Sequence, residues 1–134
     1  MRLTRASSYA LHALAFMAIQ KNDKPVPSHR VARARGIPER FLLKVLKPLV
    51  SARILHSIKG PNGGYRLARP ASQISLLDLI EAVDGPVRGQ SPLSQGQSDT
   101  ALDRKLETIC RQVAELTRRH LARAKLSDLV GGRK

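Results

Sequence analysis

The sequence predicts a mainly α-helical chain with one small β-hairpin, and three observations carry that expectation. Apolar residues recur at helical spacing along most of the chain from Ser7 to Arg123. A single stretch with strand-like alternation, Ile54–Lys59, is followed by the Gly-rich run Gly60-Pro61-Asn62-Gly63-Gly64 and a second short strand. The chain has 134 residues, 42% of them hydrophobic but only 3% aromatic, with no Trp, so Leu, Val, Ile and Ala must build the core of one domain with room for an extension.

Taken in order, Ser7 or Ser8 can cap a first helix that runs to about Gln20, because a Ser hydroxyl accepts from the unpaired amides of a first turn. Leu11, Leu14, Ala15 and Ala18 share one face, Phe16 and Met17 widen it, and Asn22-Asp23-Lys24-Pro25 ends the helix. The apolar run Tyr9–Ile19 is interrupted by His12 and no small-residue cleavage site follows it. It is also well short of the ~20 residues a membrane span needs. We therefore expect a buried helix of a soluble protein and no membrane partner.

Pro27-Ser28 opens a short second helix, with Ser28 as its expected cap, Val31 facing in and Arg30 and Arg33 facing out. Gly36 closes it in the left-handed conformation. Pro38 then starts a third helix, where its missing N–H costs nothing. That helix has two faces: Phe41, Leu42, Val45, Leu46 and Leu49 form an apolar stripe, with Arg40, Lys44, Lys47 and Ser51 opposite. Pro48 should loosen its last turn. Helix, tight turn and basic amphipathic helix predict a helix-turn-helix. Ile54–Lys59 and Tyr65–Ala68 add a hairpin, whose Asn62-Gly63 pair offers the positive-φ turn that tight hairpins use. Together these elements predict a winged helix-turn-helix. Ser75–Asp84 is a fourth helix, with Asp78 completing a capping box and Gly85 stopping it.

Pro86–Asp99 is rich in Gly, Ser, Gln and Pro and is expected to be a linker. Beyond it, Leu102, Leu106, Ile109, Val113, Leu116 and His120 are spaced 4, 3, 4, 3 and 4 apart, a heptad seam on a long helix. The wing has already closed the small domain, so a second copy of this helix is its expected partner. The organisation expected is residues 1–85 as a winged helix-turn-helix domain, 86–98 as linker, and 99–134 as dimerisation helix and tail.

Net charge is +14. Lys24, Arg30, Arg33, Arg35, Arg40, Lys44, Lys47, Arg53, Lys59, Arg66 and Arg69 face only Glu39 between residues 24 and 69, so that third of the chain carries +10 of the total. A segment this one-sided implies an anionic partner, and on a helix-turn-helix that partner is double-stranded DNA. The single cysteine, Cys110, excludes an internal disulfide and fits a reducing cytoplasm. There is no nucleophile with a sequence-level partner, no paired carboxylates and no Walker loop, since GPNGG lacks the Lys-Ser/Thr that phosphate cradling requires. Catalysis is not expected.

MRLTRASSYALHAL, the segment GIPERFLLKVLKPLVSARILHSIKGPNGGYRLARP, and ISLLDLIEAVDGP resemble the Rrf2 family of bacterial transcriptional regulators over roughly residues 1–87. GPNGGYRLARP is the most specific piece, and the C-terminal SDLV echoes the family tail. The resemblance implies a homodimeric regulator, a repressor in several members, with long crossed dimerisation helices. Carried over by position, it puts Ser28 on phosphate. Pro38, Glu39, Arg40 and residue 43 fall in the segment entering the major groove, and Lys59, Asn62, Gly63, Tyr65 and Arg66 on the wing at the backbone or minor groove. Where many relatives have Glu, this chain has Leu43, which cannot accept from a cytosine amino group. Cluster-binding relatives place three cysteines between about positions 90 and 107; here there are none, and Ser8 replaces an acidic ligand. The linker is thus a degenerate sensor loop, and no iron–sulfur cluster or other cofactor is expected.

The candidate interface therefore comprises Ser28, Pro38, Glu39, Arg40, Lys44, Lys59, Asn62, Gly63, Tyr65 and Arg66. Arg40 is expected at a base or groove edge and Lys44 at base or phosphate. Lys59 and Arg66 are expected on phosphate, and Tyr65 packed beneath the wing with its hydroxyl within reach of a phosphate. The seam Leu102, Leu106, Ile109, Val113 and Leu116 is the candidate dimer interface. Cys110 is expected as a small buried apolar residue, with a redox-active thiol as the alternative. His12, His29, His56 and His120 show no metal-ligand spacing. The rival functional class is a basic RNA- or protein-binding adaptor that reuses the winged helix. No motif names an effector.

Overall fold

A computed structural model describes residues 1–20, 22–89 and 100–131; most of the expected sensor loop, residues 90–98, lies outside them. The chain runs α1 (Arg5–Ala18), α2 (Ser28–Arg35), α3 (Glu39–Ser51), β1 (Leu55–Ile58), β2 (Gly64–Leu67), a 3-10 turn (Ala71–Gln73), α4 (Leu76–Asp84), α5 (Ala101–Arg123) and α6 (Leu126–Gly131). This is the mainly helical chain with one hairpin that the patterning predicts.

The first helix begins earlier than expected. Thr4, not Ser7 or Ser8, is its N-cap, its Oγ1 accepting from the Ser7 amide at 3.0 Å. Ser7 already lies within the helix and is fully buried, and its hydroxyl donates to Asp84 Oδ2 at 2.8 Å. Thr4 Oγ1 donates to the same oxygen at 2.8 Å, so the first turn of α1 is tied to the last residue of α4. Ala10, Ala13, Leu14 and Met17 are buried and make α1 the centre of the core, against α3, α4 and α6.

Pro27 occupies the N-cap position of α2, which frees the Ser28 hydroxyl from the capping role expected of it. Gly36 closes α2 at φ 64°, as its position predicts. The following α3 buries Leu42, Val45, Leu46 and Leu49, each at most 4% exposed. Phe41, expected in that stripe, is 45% exposed instead. At about 100° per residue it sits roughly 90° round the helix from the centre of the stripe, on the shoulder between the two faces.

The strands pair antiparallel with Leu55 opposite Leu67 and Ile58 opposite Gly64. The tip is not the Asn-Gly turn expected, because neither Asn62 nor Gly63 has positive φ; Gly60 and Gly64 do. The Gly63 amide closes a turn on the Gly60 carbonyl at 3.0 Å, with Pro61 and Asn62 between them. Gly64 is needed for space as well as φ, since a Cβ there would lie 2.5 Å from the Val26 carbonyl oxygen. That approach lets Val26 and Tyr65 exchange backbone bonds of 2.8 and 2.9 Å, which anchors the wing to the segment entering α2.

Ser75 and Asp78 form the predicted capping box of α4. Arg69 donates to the Gln73 carbonyl at 2.9 Å and to Asp78 at 3.4 Å, so this one member of the basic run belongs to the scaffold. The long α5 leans on α4, with Arg118 paired to Glu81. The chain then turns back. The Leu76 amide bonds the Ala124 carbonyl at 2.7 Å, the Leu126 amide bonds the Ile74 carbonyl at 2.8 Å, and Leu126 enters the core at 2% exposed.

Candidate nucleic-acid interface

The outer face of α3 presents Arg40, Leu43, Lys44 and Lys47, all exposed. This face exists because the stripe on the other side is fully used by the core, which fixes the helix in rotation. Phe41 organises it: the Arg40 guanidinium lies 5.8 Å and the Lys44 ammonium 5.7 Å from its ring centroid. Cations over an aromatic face are attracted by its quadrupole, so one ring engages both side chains. The residue that the sequence pattern places in the core is therefore part of the site, and its angle on the helix was the available signal.

Ser28 and Glu39, separated by eleven positions, meet: the Ser28 hydroxyl donates to Glu39 Oε2 at 2.7 Å. The bond joins the starts of α2 and α3. Pro38 is the exposed N-cap of α3. On the wing, Lys59, Asn62 and Arg66 are exposed, with Arg66 Nη1 3.4 Å from the Asp23 carbonyl. Gly63 is half-buried within the turn. Tyr65 is half-buried and packs on the core, which matches its expected place beneath the wing.

Two further cations of the basic run rest on a ring of the scaffold. Arg30 and Arg35 lie 5.8 and 5.7 Å from the centroid of the Phe16 ring, fastening α2 over α1. Arg40, Lys44, Lys47 and Lys59 have no ion-pair partner among the described residues, so their charge faces outward.

Away from this face, Leu102, Leu106, Ile109, Val113 and Leu116 form an exposed stripe along α5, each 41–75% exposed. Cys110 is half-buried beside that stripe. Among the described residues, no group of three or more His, Cys, Asp or Glu could hold a metal. No helix among them is long and apolar enough to cross a membrane.

A wing beside a helix-turn-helix whose second helix turns a basic face outward defines a DNA-binding transcriptional regulator. Residues 3–132 match the model of the Rrf2 family, described as an iron-dependent transcriptional regulator, and the chain belongs to that family. It is 31% identical over 133 residues to a protein named as a helix-turn-helix-type transcriptional regulator of Mycobacterium tuberculosis, covering 98% of this chain and 83% of that one. It is 37% identical over 87 residues to the regulator IscR of Photobacterium profundum, covering 65% of this chain and 51% of IscR. Among solved structures, CymR, the global cysteine regulator of B. subtilis, superposes with a TM-score of 0.80. That likeness covers 100% of this chain and 99% of CymR, and at 21% identity it speaks to the fold.

Proposed function

We propose that the chain works as a homodimeric, sequence-specific repressor that needs no iron–sulfur cluster. The observation that carries the DNA half is the Arg40–Phe41–Lys44 surface, held outward by a fully buried opposite face and flanked by an exposed basic wing. In this reading α3 enters the major groove, with Arg40 at a base edge and Lys44 at a base or phosphate. Ser28 and Glu39 fix the approach of α3, while Lys59, Asn62 and Arg66 follow the backbone. The dimer half rests on the α5 stripe, whose heptad spacing suits a second copy of the same helix. Two-fold related heads would address half-sites about one helical turn apart, and occupancy of such a site in a promoter lowers transcription.

The family description invokes iron, and the donor set here does not fit a cluster. The chain has one thiol in all, half-buried on α5, and a cluster needs several. Anaerobic reconstitution with iron and sulfide should leave the protein without bound iron and without thiolate-to-iron absorbance. Stoichiometric iron would overturn the cluster-free assignment.

Sequencing the genomic fragments that the pure protein retains tests the central statement. A shared two-fold symmetric motif is expected. Neutralising roughly 6–10 phosphates per dimer gives a slope of log affinity against log salt of about −5 to −9. A slope near zero, or tighter binding to structured RNA than to duplex, would refute it.

A further inference from the structure

A groove of about 350 Å³ runs between the first turns of α1, the shoulder of α3 and the end of α4. That volume is at the small end of ligand sites. Its walls are apolar, built by Ala6, Tyr9, Val45, Pro48 and Val83, with Phe41 at the rim. Among the described residues, its only charged lining residues are two cations, Arg5 and Lys44. The walls are held apart by bonds already described: Thr4 and Ser7 on α1 both donate to Asp84, immediately beside Ala6 and Val83. The groove is therefore formed before anything enters it, which lowers the ordering cost of binding. Nothing in DNA recognition uses its apolar walls.

We propose that this groove binds a small monocarboxylate with an aromatic or branched aliphatic body. The body lies against Tyr9, Phe41 and Val45, and the carboxylate is paired by Arg5 and Lys44. Taking about 30 Å³ for a water-sized group, the volume admits on the order of ten non-hydrogen atoms. The chemistry of the lining selects that class. Apolar walls offer nothing to a phosphodiester, and two cations without a lining acid favour an anion. They also disfavour a second copy's α5, which carries Arg104, Lys105, Arg111, Arg118, Arg119 and Arg123 against Asp103, Glu107 and Glu115. Because Phe41 and Lys44 belong to both the groove and the outer face of α3, the bound carboxylate draws Lys44 off the duplex and weakens DNA binding. This last step rests on the DNA-binding function proposed above; ligand capture does not.

The test follows the backbone amides of Ala6, Tyr9 and Val83 by NMR in the full chain without DNA, during titration with phenylacetate and with 4-methylpentanoate. Saturable shifts are expected at these three positions, with the matching primary amides binding about tenfold or more weaker, as loss of a charged hydrogen bond predicts. Arg5→Gln should weaken the acids by a similar factor and leave the amides unchanged. Val83→Phe should fill the groove and abolish both. Should that variant fail to fold, the exposed Arg5 position still decides the matter. Absence of saturable shifts at millimolar ligand, or equal binding of acid and amide, overturns the proposal. So does the appearance of the same shifts on concentrating ligand-free protein, which would make the groove a contact between copies. Anisotropy with labelled duplex then checks the coupling: unchanged affinity in saturating phenylacetate overturns it. Saturable shifts in a protein that binds no duplex would refute the DNA-binding function and leave ligand capture standing.

Discussion

In α3 the apolar stripe of Leu42, Val45, Leu46 and Leu49 is buried, and in α5 the stripe of Leu102, Leu106, Ile109, Val113 and Leu116 is exposed. Both helices are amphipathic; the side of α3 away from its stripe is basic, while that of α5 mixes Arg104, Arg111 and Arg118 with Glu107 and Glu115. The difference lies in what surrounds them. The shorter α3 has 13 residues and is enclosed by α1, α2, α4 and β1. At 23 residues, α5 is about 35 Å long at 1.5 Å per residue, and it touches α4 with a different face. Periodicity states that a face will be apolar; only the length and position of the helix state whether its own chain can cover it. The stripe of α3 thus fixes which side of that helix faces outward, and the stripe of α5 is left uncovered by its own chain.

The largest effect should come from breaking the second stripe. Ile109→Asp combined with Val113→Asp places two charges where a second copy is expected to pack. Sedimentation should show a monomer. Affinity for a two-half-site duplex should fall by about 10²–10⁴-fold, the usual gain from linking two binding events, while the thermal melt of the chain changes little. A variant that still sediments as a dimer would mean that this face is covered by something else.

The same operation on the first stripe should act on the fold instead. Leu46→Ala removes a fully buried side chain and should cost about 2–5 kcal/mol in a urea unfolding experiment. Leu116→Ala, exposed in the single chain, should cost far less at protein concentrations too low for dimers. Equal losses at the two positions would erase the distinction between the helices.

On the outward side of α3, Arg40→Ala should cost about 1–3 kcal/mol of binding to the selected operator and relax the preference at one position. A matching loss on random duplex would assign Arg40 to phosphate. The substitution also removes one of the two cations on the Phe41 ring, so Phe41→Leu is the companion measurement. If the ring places both cations, Phe41→Leu should weaken operator binding although it removes no charge.

How far residues alone led to this picture depends on what each feature needed. The winged helix was legible because its signals are local: Gly36 closing α2, Pro38 opening α3, the capping box of Ser75 and Asp78, and a glycine-rich tip. Features that depend on a distant partner were not. Ser7 looked like a cap because nothing nearby shows that Asp84, 77 positions away, takes its hydroxyl. Gly64 looked like turn chemistry, whereas Val26 sets its requirement from across the fold. Residues Leu126–Gly131 gave no periodic signal because a six-residue helix held by one backbone bond to Ile74 and by one buried leucine needs none. Phe41 was legible in principle, since its angle on the wheel already separated it from the centre of the stripe. Among the candidate interface residues, residue types singled out one outward surface, while the sharing of one ring by Arg40 and Lys44 emerged only from the packed helix.

The smallest effect separates the wing from the helix. Lys59 is exposed near the tip and makes no ion pair among the described residues, and a flexible ammonium there suits a phosphate. Lys59→Ala should weaken operator and random duplex by the same modest factor and reduce the salt slope by about 1 for each phosphate left without its cation. It should leave the base preferences of the operator unchanged. If Lys59→Ala instead shifts those preferences, the wing reads a groove and shares the discrimination assigned to α3. The contrast with Arg40 is then one of degree, and the glycines of the tip would matter for how deeply the hairpin enters as well as for how it turns.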